Sequence, residues 1–151
     1  MLFRSDFTVN NVARVAEATA RWIIAGQPSG ASVVIGHDCR FAGEMFAETV
    51  AKVMSHFGIK SYLAQGFVST PMISLGTLHY KANLGIIITA SHNPPSYNGF
   101  KLKGPYGGPL LPEQVQEIED IIPAAPSMNT GAIAMETLLA EKLVEIGRAH
   151  V

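Results

Sequence analysis

A chain of 151 residues, 48% hydrophobic and 15% charged, has the composition of one globular domain rather than of a disordered or fibrous segment. Its 11 basic residues stand against 12 acidic ones, which excludes nucleic-acid or membrane-surface binding through bulk charge. The single cysteine, Cys39, excludes an internal disulfide and fits a reducing compartment; no apolar run reaches the length of a membrane span, and the expected location is cytoplasmic.

Residues 8–25 are predicted as the first helix. Val12, Val15, Ala16, Thr19, Trp22 and Ile23 share one face at helical spacing, Thr8 or Asp6 can cap the start, and Gly26, Pro28 and Gly30 end it. Residues 32–37 read as the first strand, leading into the loop Gly36-His37-Asp38-Cys39-Arg40. An Asp two positions before an Arg, taken alone, points to a local ion pair or turn, and His37 to packing. Residues 43–57 form the second helix, with Phe46, Val50, Val53, Met54 and Phe57 as its apolar stripe, Met45 and Met54 as core filler, and Gly58 as the residue that ends it. Residues 59–64 are the second strand and 65–69 its exit loop. The third helix opens at Thr70-Pro71, an N-cap followed by Pro, and runs to about Lys81. Its apolar side is expected to be Ile73, Leu75, Leu78 and Tyr80.

Residues 84–90, Leu-Gly-Ile-Ile-Ile-Thr-Ala, have the β-branched character of a strand buried on both faces. The run stops at Ser91-His92-Asn93-Pro94-Pro95, because consecutive prolines lack the N–H groups a central strand needs. A hydroxyl, an imidazole and an amide are thereby presented at the carboxyl end of a buried strand, where open α/β sheets bind ligands. Asn98-Gly99 turns the chain into residues 100–103, an alternating strand expected to return antiparallel at an edge. The breaker-rich stretch 104–109 reads as a connector; it lacks the Gly-Lys-Ser/Thr ending of a phosphate loop. Residues 112–122 are predicted helical, with Pro112 in the first turn; 123–131 reads as a linker, and 135–146 as a last helix through Leu138, Leu139 and Leu143. A helix followed by strand–helix–strand–helix–strand alternation implies right-handed crossovers and a mostly parallel sheet covered on both faces.

The segment Thr89-Ala90-Ser91-His92-Asn93-Pro94, followed by Tyr97-Asn98-Gly99-Phe100-Lys101, resembles the phosphoserine loop of the α-D-phosphohexomutases, the family of phosphoglucomutase and phosphomannomutase. Gly36-His37-Asp38-Cys39-Arg40 is similar to that family's Gly-x-Asp-x-Arg segment, and Ser69-Thr70-Pro71 agrees with it as well. The resemblance implies a three-layer α/β/α unit with a short mixed sheet, the first domain of a longer enzyme. It implies that Ser91 carries a transferable phosphoryl group and that Lys101 serves in acid–base or phosphate contacts, with His92 a weaker candidate for the same work. Asn93, Arg40 and Asn98 are expected to contact substrate or its phosphate. Mg²⁺ is the implied cofactor, with Ser91 as a ligand through its phosphate and the carboxylates in a second domain. Hexose phosphate is the implied substrate, hexose 1,6-bisphosphate the intermediate and activator, and the remaining domains of the parent enzyme the partners.

Against that pattern, the Arg-bearing segment expected ahead of Phe7 is missing, since Arg4 stands outside it. The expected division is 1–123 as the α/β/α domain and 124–146 as the connection to a second one. Residues 146–151 resemble a translated sequencing adapter, so 147–151 are expected to be a non-native tail. Two competing readings remain. A Ser/His hydrolase needs a Gly-x-Ser-x-Gly elbow, whereas Ser91 lies between Ala90 and His92. A non-catalytic α/β module is the other; by itself this stretch of chain is expected to be such a unit, binding sugar phosphate weakly or not at all.

Overall fold

The computed structural model describes residues 7–27 and 29–147. The elements in chain order are α1 (Val9–Gly26), β1 (Ser32–His37), α2 (Gly43–His56), β2 (Lys60–Phe67), α3 (Thr70–His79), β3 (Leu84–Ile88), β4 (Phe100–Lys103), α4 (Pro112–Asp120), α5 (Met135–Ala140) and β5 (Val144–Gly147), with a 3₁₀ turn at Thr130–Ala132 before α5. The strands form one sheet in the order β4-β3-β1-β2-β5. All pairs are parallel except β3 with β4, which is antiparallel with Ile87 opposite Lys101. The expected α/β class, three layers and mixed sheet with an antiparallel edge are therefore what the chain forms.

The two faces of the sheet follow from residue parity along its central strands. Val33 and Ile35 of β1 and Leu84, Ile86 and Ile88 of β3 join the larger core beneath α1, α2 and α4, whereas Val34 and Ile87 point the other way into a smaller core under α3. Strands with both faces buried carry apolar residues at every position, which is why neither run alternates. α3 lies close to the sheet because Gly36 and Gly85 lie beneath it. A Cβ on Gly85 would run into Thr77 Oγ1 and sit 2.9 Å from Ile73 Cγ2; one on Gly36 would sit 2.7 Å from Ile73 Cδ1.

That close seat changes the reading of α3. Its buried residues are Ile73, Gly76 and Thr77, while Leu75, Leu78 and Tyr80, expected on the apolar side, are exposed. The sheet meets the helix through Ile73, Gly76 and Thr77, so Leu75, Leu78 and Tyr80 face outward. Ser69, not Thr70, is the N-cap residue of α3. Met45, expected in the core, is exposed as well, whereas Met54 is fully buried. Thr8 caps α1 as expected, its Oγ1 accepting from Asn11 N at 3.2 Å. Gly58 follows Phe57, the C-cap residue of α2, at φ 72°.

The predicted exit loop 65–69 is partly strand. β2 continues to Phe67 through an irregularity: Ile35 pairs with Leu63, but His37 pairs with Phe67. Gly66, at φ 72°, supplies the left-handed residue this bulge requires.

The predicted helix 135–146 ends at Ala140. Lys142 takes φ 58°, Leu143 N donates to Leu138 O, and Val144–Gly147 runs as β5 parallel to β2, with Ser61 N donating to Leu143 O. Leu143 satisfies a helical period, but the open edge of β2 offers backbone partners that another turn of a short exposed helix cannot match. Gly147, placed in the expected tail, pairs with Ala64; residues 148–151 and Arg4 lie outside the described residues.

The predicted linker 123–131 is tied to α1. Arg14 Nε donates to Pro123 O at 2.6 Å, and Ser127 N donates to Glu17 Oε2 at 2.8 Å. Glu17 is 1% exposed and also accepts from Arg21. Burial pushes its carboxyl up, but the Ser127 N–H and the Arg21 guanidinium outweigh this and hold it below the usual carboxylate value.

Candidate active site

β1 lies at the middle of the sheet. The chain leaves it to one side for β2 and then crosses to the other side for β3. The loops after β1 and β3 therefore meet at a switch in strand order, at the carboxyl ends of the strands. His37 pairs with Ile88 across those ends, and Asp38 N donates to Ile88 O at 3.1 Å. This register brings Asp38 and Arg40 beside the Ser91 loop.

Ser91 is exposed and takes φ 52°, a left-handed conformation uncommon for a residue with a Cβ. Its backbone N–H donates to Thr89 Oγ1 at 3.1 Å, and Thr89 Oγ1 in turn donates to Asp38 Oδ2 at 2.5 Å. Lys101 Nζ donates to Ser91 Oγ at 2.5 Å. The antiparallel pairing makes this contact, because Lys101 lies on β4 opposite Ile87, at the end of β3 from which the loop leaves.

Arg40 is 13% exposed and reaches under the loop. Its two terminal nitrogens donate to four carbonyls: Nη1 to Pro94 O at 2.7 Å and Tyr97 O at 3.0 Å, Nη2 to Ser91 O at 2.9 Å and Asn93 O at 2.6 Å. Its Nε lies 3.4 Å from Asp38 Oδ2, and its own backbone N–H donates to Asp38 Oδ1 at 3.0 Å. Asp38, expected in a turn or an ion pair, takes part in both. The expectation of a phosphate contact for Arg40 meets a guanidinium whose four terminal N–H groups are engaged within the protein.

The other predicted residues separate by exposure. His92 and Asn93 are exposed at the tip of the loop. Among the described residues no hydrogen bond joins His92 to Ser91, whose hydroxyl is held by Lys101, so the geometry lacks the Ser–His pair of a hydrolase. Asn98 is 7% exposed, and its Oδ1 accepts from Gly99 N at 3.0 Å; it holds the turn into β4 from below the loop. Thr89 is a member of the site that the sequence does not single out. A Thr two residues before the presented Ser is a short-range turn signal, but its bond to Asp38 depends on a contact 51 residues distant.

One flank of the loop is apolar. A groove of about 340 Å³ is lined by Phe7, Phe41, Met45, Phe46, Pro95 and Tyr97 among others, and Phe41 stands 93% exposed beside it. His37 is buried, edge-on to Phe67, and its Nδ1 lies 2.8 Å from Asp38 O, a packing role as expected. The donor set suits Mg²⁺ poorly: no group of three His, Cys, Asp or Glu residues gathers among the described residues, Asp38 is engaged by Arg40 and Thr89, and an ammonium sits on Ser91 Oγ.

Fold and site together define a doubly wound α/β domain that presents a lysine-bonded serine at its topological switch point. The chain matches, over residues 2–128, the family described as phosphoglucomutase/phosphomannomutase, alpha/beta/alpha domain I, and it belongs to that family. It is 42% identical over 92 residues to a phosphoglucomutase of Staphylococcus saprophyticus, covering 61% of this chain and 17% of the relative. It is 32% identical over 148 residues to a phosphoglucosamine mutase of Mycobacterium leprae, covering 97% of this chain and 32% of the relative. Among solved structures, a Thermus thermophilus protein assigned as a phosphomannomutase superposes with a TM-score of 0.78 at 38% identity, over 81% of this chain and 28% of that one. The chain thus spans no more than about a third of these relatives.

Proposed function

We propose that this chain is the phosphoserine-bearing first domain of a phosphohexomutase that moves phosphate between the 1- and 6-positions of a hexose in cytoplasmic carbohydrate metabolism. The observation that carries this reading is the Lys101–Ser91 hydrogen bond on a left-handed serine at the switch point. In the forward half-reaction the Oγ–P bond of phosphorylated Ser91 breaks and a P–O bond forms to the free hydroxyl of the hexose phosphate. The leaving Oγ develops negative charge, which Lys101 stabilises and quenches with a proton, while the attacking hydroxyl releases its own proton to solvent, from which Lys101 is recharged. In the second half the opposite phosphate of the bisphosphate returns to Oγ, and the proton moves back. Phosphoryl transfer asks of a protein chiefly position and charge neutralisation, which an exposed serine beside one ammonium supplies only in part. Mg²⁺ in this reading needs carboxylates from outside the described residues, with the phosphate on Ser91 as its one ligand here; no step is derived through it. Asn93 and His92, exposed at the tip of the loop, are proposed to meet substrate.

The 151-residue chain alone is proposed to be inactive, a sugar-phosphate module that awaits the rest of the enzyme. Residues 1–123 are proposed as the body of the domain and 124–146 as the lead towards the next one, with β5 closing the edge of the sheet on the way. The test is the full-length parent with Ser91→Ala: phosphate on the Ser91 peptide by mass spectrometry and hexose phosphate interconversion should both vanish while the fold is retained. Near wild-type interconversion by that variant would overturn the assignment.

A further inference from the structure

We propose that Arg40 is a positioning residue: its guanidinium is the template on which residues 91–97 fold, and it aims Ser91 at Lys101 without touching substrate. Residues 91–97 include two prolines, which cannot donate; Tyr97 N donates to Pro94 O within the loop, and Asn93 N donates back to Ala90 O at the end of the strand run. Such a segment has little of its own to hold Ser91 at a positive φ. Arg40 supplies the missing bonds from beneath, through four carbonyls spread over the whole turn. Those bonds are charge-assisted and set in the fixed plane of the guanidinium, so they define directions as well as distances.

The clamp is itself held on a closed circuit. Asp38 fixes the backbone N–H of Arg40 with one oxygen and takes the Thr89 hydroxyl on the other. Thr89 receives the Ser91 N–H, and Ser91 O returns to Arg40. Every member of the ring sits at the carboxyl end of β1 or β3, which are rigid and buried. An ammonium in place of the guanidinium has three donors and no plane, and it cannot serve four carbonyls.

This inference rests on the proposed phosphoryl-carrier role of Ser91 only for its catalytic consequence; the clamp itself is testable on the chain as it stands. Arg40→Lys and Arg40→Ala are made in the 151-residue chain and followed by amide hydrogen exchange. Exchange at residues 91–97 should accelerate about tenfold or more while β1 and β3 keep their protection. Methylguanidinium should restore the protection in Arg40→Ala, and methylammonium should not. Unchanged loop exchange, or loosening spread equally through the sheet, would overturn the proposal. In the full-length parent, Arg40→Lys should lower kcat about 10²-fold, the scale of an ångström-sized misplacement, and leave KM for hexose phosphate unchanged. A raised KM at unchanged kcat would instead make Arg40 a substrate contact. If Ser91→Ala kept full turnover, the phosphoryl-carrier reading would fall, while the exchange result would still decide the clamp.

Discussion

At the scale of single residues, the serine, the lysine that bonds it and the asparagine beside it are readable in a stretch of eleven residues. The partners of Arg40 are not, because they lie more than 50 residues away and depend on which loops the strand order brings together. Lys101 and Arg40 then differ in kind: one touches the Ser91 hydroxyl oxygen, the other the backbone beneath it. Lys101→Met in the full-length parent should therefore lower turnover by roughly 10²–10⁴ while phosphate remains detectable on Ser91. Loss of the phosphate in that variant would count against an acid–base role. Two glycines offer a second contrast. Gly58 has φ 72° and open space where a Cβ would project, so Gly58→Ala should cost about 1 kcal/mol from backbone strain alone. Gly85→Ala forces atoms into Thr77, Ile73 and Lys103 and should cost about 1–3 kcal/mol or more, with α3 displaced. Equal melting temperatures for the two variants would contradict this.

At the scale of elements, the segment after α4 departs furthest from the pattern in the chain. Its tether to α1 depends on Glu17, a charged residue on a buried helix face that periodicity alone leaves polar and unexplained. Glu17 has a lowered carboxyl pKa in the folded chain, so its stabilisation is complete above the ordinary value of 4.5 and is lost as pH falls through the folded value. Glu17→Gln should destabilise the chain at pH 7 by about 1–3 kcal/mol, because a bond to Ser127 N or Arg21 is lost in a buried place. The gap between wild type and variant should close as pH falls below the ordinary carboxylate value of 4.5 and through the lowered folded value. A gap that widened in acid would show that the carboxylate is not the stabilising form. Hydrogen exchange at Ser127 N should follow the same trend, since that amide is bound by the titrating oxygen.

At the scale of the whole molecule, the domain exposes Ser91, its proposed phosphoryl carrier, on an open loop rather than in an enclosed cleft. Catalysis in water-exposed surroundings forfeits most electrostatic stabilisation, so the 151-residue chain should show no turnover of glucose 1-phosphate above background. Measurable mutase activity in the purified chain would refute that expectation. By itself the sequence determined the α/β class, the two-faced burial of β3, the break at Ser91 and the turn into an antiparallel β4. Those follow from local properties: β-branched runs, prolines without N–H groups, and an Asn-Gly turn. Tertiary structure decided which face of α3 is buried, because Gly36 and Gly85 admit Ile73 and Thr77 and leave Leu75 and Leu78 outside. It decided that residues 144–147 are a strand, because the open edge of β2 was there to pair. It also decided that Arg40 lies under the serine loop, because strand order, which no local pattern encodes, places the ends of β1 and β3 side by side.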